Sequence, residues 1–98
     1  MGRFLVLWEI DKSRISVDRK ERGQGWKMMA DQIRQNMEHG LTRDWGTFLG
    51  ESRGYAIMEG PELDVMNNLQ QYVPFVTFKV NPVATLDQAE EMITTLQK

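Results

Sequence analysis

The sequence predicts an α+β domain: a ferredoxin-like βαββαβ sandwich with an antiparallel four-stranded sheet and one further helix at its C-terminal end. Strand-like apolar runs fall at residues 3–10, 42–50, 53–59 and 75–80. Helical periodicity fills the two long gaps between them and the tail, which gives the order strand, helix, strand, strand, helix, strand, helix. A length of 98 residues accommodates that order as a single domain, residues 1–98.

The first strand points Phe4, Val6, Trp8 and Ile10 to one face and Leu5, Leu7 and Glu9 to the other. A strand apolar on both faces belongs in the middle of a sheet covered on both sides. The first helix is expected over residues 19–39. Asp18 with Glu21 three residues on resembles a capping box, Trp26, Met29, Ile33 and Met37 form the buried stripe, and Gly40 stops the helix. Gly23 and Gly25 each cost a helix up to about 1 kcal/mol against alanine. Either the helix starts near Trp26 or these glycines admit a close neighbour. The next two strands form a hairpin turning at Glu51-Ser52, flanked by Gly50 and Gly54 where a positive φ is useful.

Gly60-Pro61 opens the second helix, whose apolar face reads as Leu63, Met66, Leu69 and Val73, and Pro74 ends it. Asn81-Pro82 interrupts or ends the last strand. Thr85 and Gln88 form a second capping box, followed by the stripe Leu86, Ala89, Met92, Ile93 and Leu96.

Val76, Phe78, Val80, Ala56 and Met58 are expected on the helix-covered face with Phe4, Val6, Trp8 and Ile10. The opposite face then carries Leu5, Leu7, Glu9, Tyr55, Ile57, Glu59, Phe75, Thr77 and Lys79, about half of them apolar. Such a patch marks an interaction surface. Its natural cover is a second copy across a two-fold axis, with Leu5, Leu7, Ile57, Phe75 and Thr77 at the interface.

The formal charge is −2, from 12 basic and 14 acidic residues intermixed along the chain, so nothing pulls it generally toward nucleic acid or anionic lipid. The sequence has no cysteine, which excludes disulfides, thiolate metal sites and cysteine nucleophiles and is consistent with a cytoplasmic location. No run reaches the roughly 20 apolar residues of a membrane span. The apolar run after Arg3 stops at Glu9 without a small-residue cleavage site and reads as a strand rather than a signal peptide.

Four segments carry a family resemblance: Trp8-Glu9, Asp44-Trp45-Gly46, Arg53-Gly54-Tyr55-Ala56 and Tyr72-Val73-Pro74-Phe75. With them the chain resembles the dimeric α/β-barrel superfamily, and more narrowly its small uncharacterised single-domain members. The resemblance implies two ferredoxin-like sheets packed face to face and a ligand pocket between sheet and helices in each subunit. That superfamily includes monooxygenases that use no cofactor, muconolactone isomerases, haem-degrading enzymes and ligand-sensing regulatory domains.

Several residues are candidates for chemistry. Trp8, Trp26, Trp45 and Tyr55 are placed to line an apolar ligand pocket, or to serve as core and interface packing. His39, the single histidine, is a general-base candidate or a surface residue favoured by the helix C-terminal dipole. Glu9, Glu59 and Lys79 share a sheet face, as an acid–base group or as ion pairs that set register. Metal-ligand spacing is missing, and no cofactor is expected. Arg53-Gly54-Tyr55-Ala56 matches the first four positions of an RNA-recognition signature, but the expected later aromatics are Ile57 and Gly60, so nucleic acid is disfavoured. The expected function is a homodimeric small-molecule-binding module. A cofactor-independent monooxygenase- or isomerase-like enzyme on an aromatic or lactone substrate is the alternative, and RNA binding ranks third.

Overall fold

The structure, a computed structural model, describes residues 2–50 and 52–98. In chain order the elements are β1 (Gly2–Ile10), a 3-10 turn (Lys12–Arg14), α1 (Arg19–Glu38), β2 (Thr42–Thr47), β3 (Arg53–Gly60), α2 (Glu62–Gln70), β4 (Val76–Pro82) and α3 (Leu86–Leu96). The strands form one antiparallel sheet in the order β2-β3-β1-β4. This α+β arrangement is compatible with a ferredoxin-like fold. β1 lies inside the sheet, as its two apolar faces require, and β4 is an edge strand. The edge position explains why Asn81 and Pro82 continue the strand rather than end it: a proline without an N–H is tolerated where no neighbour needs the donor.

The inner face has two core clusters. Phe4, Val6, Ala56, Met58 and Val65 form one, with Leu41 and Leu69 packed against it. Trp8, Ile10 and Val76 form the other, against Ile15, Met29 and Tyr72. Register puts Leu5 opposite Ile57 and Leu7 opposite Tyr55 on the outer face, and the described residues of this chain leave Leu7 37% exposed there.

α1 runs unbroken from Arg19, capped by Asp18, whose side chain accepts from the Glu21 N–H. It does not start at Trp26, and a Cβ on Gly23 or Gly25 would meet nothing within 4 Å, so neither glycine admits a close neighbour. Its stripe faces the sheet without being sealed: Trp26 is exposed, Met29, Ile33 and Met37 are half-buried, and only Asn36 is buried. Gly40 and Gly50 have the left-handed φ that suits glycine, +83° and +77°. Gly54 does not; it is buried inside β3. Glu51, half of the expected turn, lies outside the described residues.

α2 departs from its expected face. Leu63, Met66 and Val73 are exposed, whereas Val65 and Asn68 are buried. A helix of nine residues makes little more than two turns, and its sequence carries two rival stripes. Val65 wins because it reaches Met58 and Phe4 over the closed half of the sheet. In α3 the expected capping box forms, with Thr85 and Gln88 each bonding the other's backbone N–H. The stripe is present, but Leu86, Met92, Ile93 and Leu96 are all exposed.

Candidate functional site

The inner face of β3 carries small residues, Gly54, Ala56 and Gly60, around the larger Met58. They leave room for indole rings. A Cβ on Gly54 would run into the Trp8 ring at 2.6 Å and into the Gly46 carbonyl. Trp8 therefore packs against Gly54, and its Nε1–H donates to the Tyr55 carbonyl at 3.2 Å.

Trp45 reaches the same face through a β-bulge. Thr42 pairs with Met58, but Asp44 pairs with Ile57, so one residue is extra between them. The added residue reverses the alternation: Trp45 turns inward and Asp44 outward. Trp45 then stacks on Trp8, with ring centroids 5.3 Å apart and planes 7° from parallel.

Opposite this pair stands the unsealed stripe of α1. Between them is a cleft of 400 Å³, lined by Trp8, Trp45, Trp26, Met29 and Ile33, with Phe48 and Leu49 from the β2–β3 connection at one side and Thr47 and Ser52 as polar neighbours. No described residue lining it is titratable. A smaller cavity of 40 Å³ lies deeper, lined in part by Asn36, Asn68 and Tyr72. There the Asn36 Nδ2 donates to the Tyr72 hydroxyl at 3.2 Å. Burial pushes the Tyr72 phenol up, and the Asn36 hydrogen bond opposes it. A second groove, of 450 Å³, runs beside the first half of α1, lined by Ile10, Ile15, Met28, Phe75, Arg14 and Arg22 among others.

Three of the four aromatic candidates, Trp8, Trp26 and Trp45, thus meet at one cleft. Tyr55 lies on the other face of the sheet. Its ring covers Gly46, where a Cβ would collide with it, and its hydroxyl donates to Asp44 Oδ2 at 2.8 Å. That carboxylate holds the Tyr55 phenol above its usual range, with desolvation adding to it.

The ionisable candidates do not converge. Glu9 and Glu59 sit at opposite ends of the outer face, opposite Arg53 and Arg3 respectively. Those positions are six steps apart along β1, about 20 Å. Glu59 meets Arg3 at 3.7 Å and Arg43 at 3.5 Å, an arrangement that fixes register. Lys79 stands opposite Leu7. His39 closes α1, its backbone N–H reaching Gln35 O and Met37 O, with its side chain exposed and far along the helix from Trp26. Of the interface candidates, Leu5, Leu7, Ile57 and Thr77 lie in outer-face register, while Phe75 falls in the turn before β4 with the Arg14 guanidinium 5.2 Å from its ring centre.

Phe48 and Leu49 line the cleft without standing out among the sequence candidates. Their signal is an apolar pair carried past the end of a strand, just before a positive-φ glycine. Among the described residues no group of three or more His, Asp or Glu side chains is placed to hold a metal ion, and no helix is long and apolar enough to cross a membrane. The chain matches no protein-family model and no curated protein sequence.

Proposed function

We propose that this chain is a homodimeric small-molecule-binding module that seats a flat apolar or aromatic ligand in the cleft between α1 and the sheet. One observation carries the reading: the parallel Trp8–Trp45 pair forms a preorganised aromatic wall on an open cleft that the chain's own α1 does not fill. An indole face offers stacking and dispersion to a planar guest with no rotamer to freeze. Thr47 and Ser52 supply the few polar groups that orient a ligand in an apolar site. The absence of a titratable lining residue among those described favours binding over acid–base turnover. A second copy would cover the outer face through Leu5, Leu7 and Ile57, in the paired sheets of a dimeric α/β barrel.

The test uses 8-anilinonaphthalene-1-sulfonate as an aromatic probe. Saturable binding at one site per chain, with quenching of tryptophan emission and a rise in melting temperature, is the expected result. Trp45→Leu should weaken it at least about tenfold while far-ultraviolet circular dichroism is unchanged. Unchanged binding in a folded Trp45→Leu variant would overturn the assignment of the cleft. Light scattering across a dilution series tests the dimer separately, and a monomer at all concentrations would overturn that half of the proposal.

A further inference from the structure

α3 is a well-formed amphipathic helix that its own chain does not use. It has a complete capping box, yet none of its residues is buried and none belongs to either core cluster. Leu86 and Leu96 are each 75% exposed. The chain is drawn out to 62 × 25 × 19 Å, with a radius of gyration of 16.3 Å against about 13 Å for a compact domain of this length. An isolated helix of 11 residues is marginal in water, so tertiary packing must supply what its propensity does not.

We propose that α3 of each copy docks in the Arg14–Arg22 groove of a second copy, in a reciprocal exchange that closes at two chains. The groove offers an apolar wall of Ile15, Met28 and Phe75, with the two arginines beside it. The α3 sequence supplies the complement: an apolar stripe flanked by Asp87, Glu90 and Glu91. Glu21 also lines the groove and keeps its charge, its 2.8 Å partner being the neutral Ser16 hydroxyl, so two arginines face one carboxylate there. Arg14 also meets Asp11 at 3.3 Å, whereas Arg22 donates to the Ser16 and Val17 carbonyls at 3.2 Å, neutral acceptors that leave its charge uncancelled, so Arg22 makes the larger contribution to the groove's charge.

Position argues for a second copy as the source of the helix. β4 begins at Val76 beside the groove and ends at Pro82, where Val83 bonds back to Arg3. Residues 83–85 span at most about 10 Å, so α3 starts at the sheet end away from its own groove. A two-fold axis crossing the strands exchanges the ends of the sheet. It sets each α3 beside the partner's Ile10–Val76 end while the outer faces pack together. The exchange rests on the proposed dimer for the presence of the second copy, but not on the ligand.

The absence of cysteine permits a clean test in the full chain. Met28→Cys and Ile93→Cys are made as separate proteins and mixed under oxidising conditions. The expected product is a mixed disulfide-linked dimer, in excess over either self-linked species. In parallel, Arg14→Glu/Arg22→Glu should raise the dimer dissociation constant at least about tenfold, as should Glu90→Arg/Glu91→Arg, and mixing the two proteins should restore affinity. A dimer by mass that yields no mixed disulfide would overturn the exchange and leave the sheet-face dimer standing. A monomer, or a chain carrying both cysteines that closes only on itself, would overturn it as well.

Discussion

Val6 and Trp8 are two residues apart on one face of one strand, yet they lie in differently built halves of the molecule. Around Val6, α2 lays Val65 and Leu69 onto Phe4, Ala56 and Met58, and the space left beside the cluster is the small 40 Å³ cavity. Around Trp8, α1 stands off, Trp26 and Phe48 remain exposed, and space is left between helix and sheet. The small residues of β3 serve both halves, but under Trp8 and Trp45 they make room for an aromatic wall instead of a filled core. Stability is thus concentrated at one end of β1 and an accessible surface at the other.

The largest expected effect contrasts two methionines. Met58 is 2% exposed in the closed half, while Met29 is half-buried at the cleft. Met58→Ala should cost about 2–5 kcal/mol, a large share of a domain's total stability. Met29→Ala should cost about 1 kcal/mol, since much of its side chain faces open space. Urea denaturation of both variants measures the difference, and equal losses would break the comparison.

A pair of glycines sharpens it. Alanine at Gly54 would meet the Trp8 ring, the Gly46 carbonyl and the Thr47 Cα, and the two backbone groups cannot swing aside. Gly54→Ala should destabilise by about 2–3 kcal/mol and also weaken probe binding, because Trp8 must leave its position. The three atoms nearest a Cβ on Gly46 all belong to the Tyr55 ring, a side chain that can turn away from the sheet by giving up its hydrogen bond to Asp44. A loss nearer 1 kcal/mol with probe binding intact is expected there.

The closed half was largely legible in the sequence and the open half was not. In β1 and β3 the two-residue period of side-chain direction, rather than any apolar–polar alternation, placed Phe4, Val6, Ala56 and Met58 on one face. Trp45 was harder. Its direction depends on the bulge between Thr42 and Asp44, and one residue of slip turns it to the other face. In α2 the buried Asn68 hid the true stripe, since a polar residue at a packed position breaks the apolar spacing on which such readings depend. In α3 the stripe was legible, but its partner surface was not, because periodicity says which face is apolar and not what covers it.

A smaller effect separates α1 from the sheet it flanks. Gly23 lies inside the helix with open space where a Cβ would stand. Gly23→Ala should stabilise the protein by about 0.5–1 kcal/mol by restricting the unfolded chain and improving helix propensity. Its thermal unfolding midpoint should rise while probe affinity stays unchanged. A fall in affinity would mean that α1 must flex at this point to admit a ligand.

The smallest effect compares the two faces of the sheet through the chain's two tyrosines. Both phenols are raised above the usual value of 10.0, for different reasons: burial for Tyr72 on the inner side, and the Asp44 carboxylate for Tyr55 on the outer side. A raised phenol favours the protonated form in the folded state. Its contribution to stability is present below the ordinary pKa and is lost as pH rises through the raised one. Ultraviolet absorbance at high pH should therefore show both tyrosines ionising late. Asp44→Asn removes the negative charge beside Tyr55 and should bring that tyrosine's transition back toward the ordinary range, while Tyr72 still titrates late. If both transitions move together, the two sheet faces are coupled and the separation drawn between them fails.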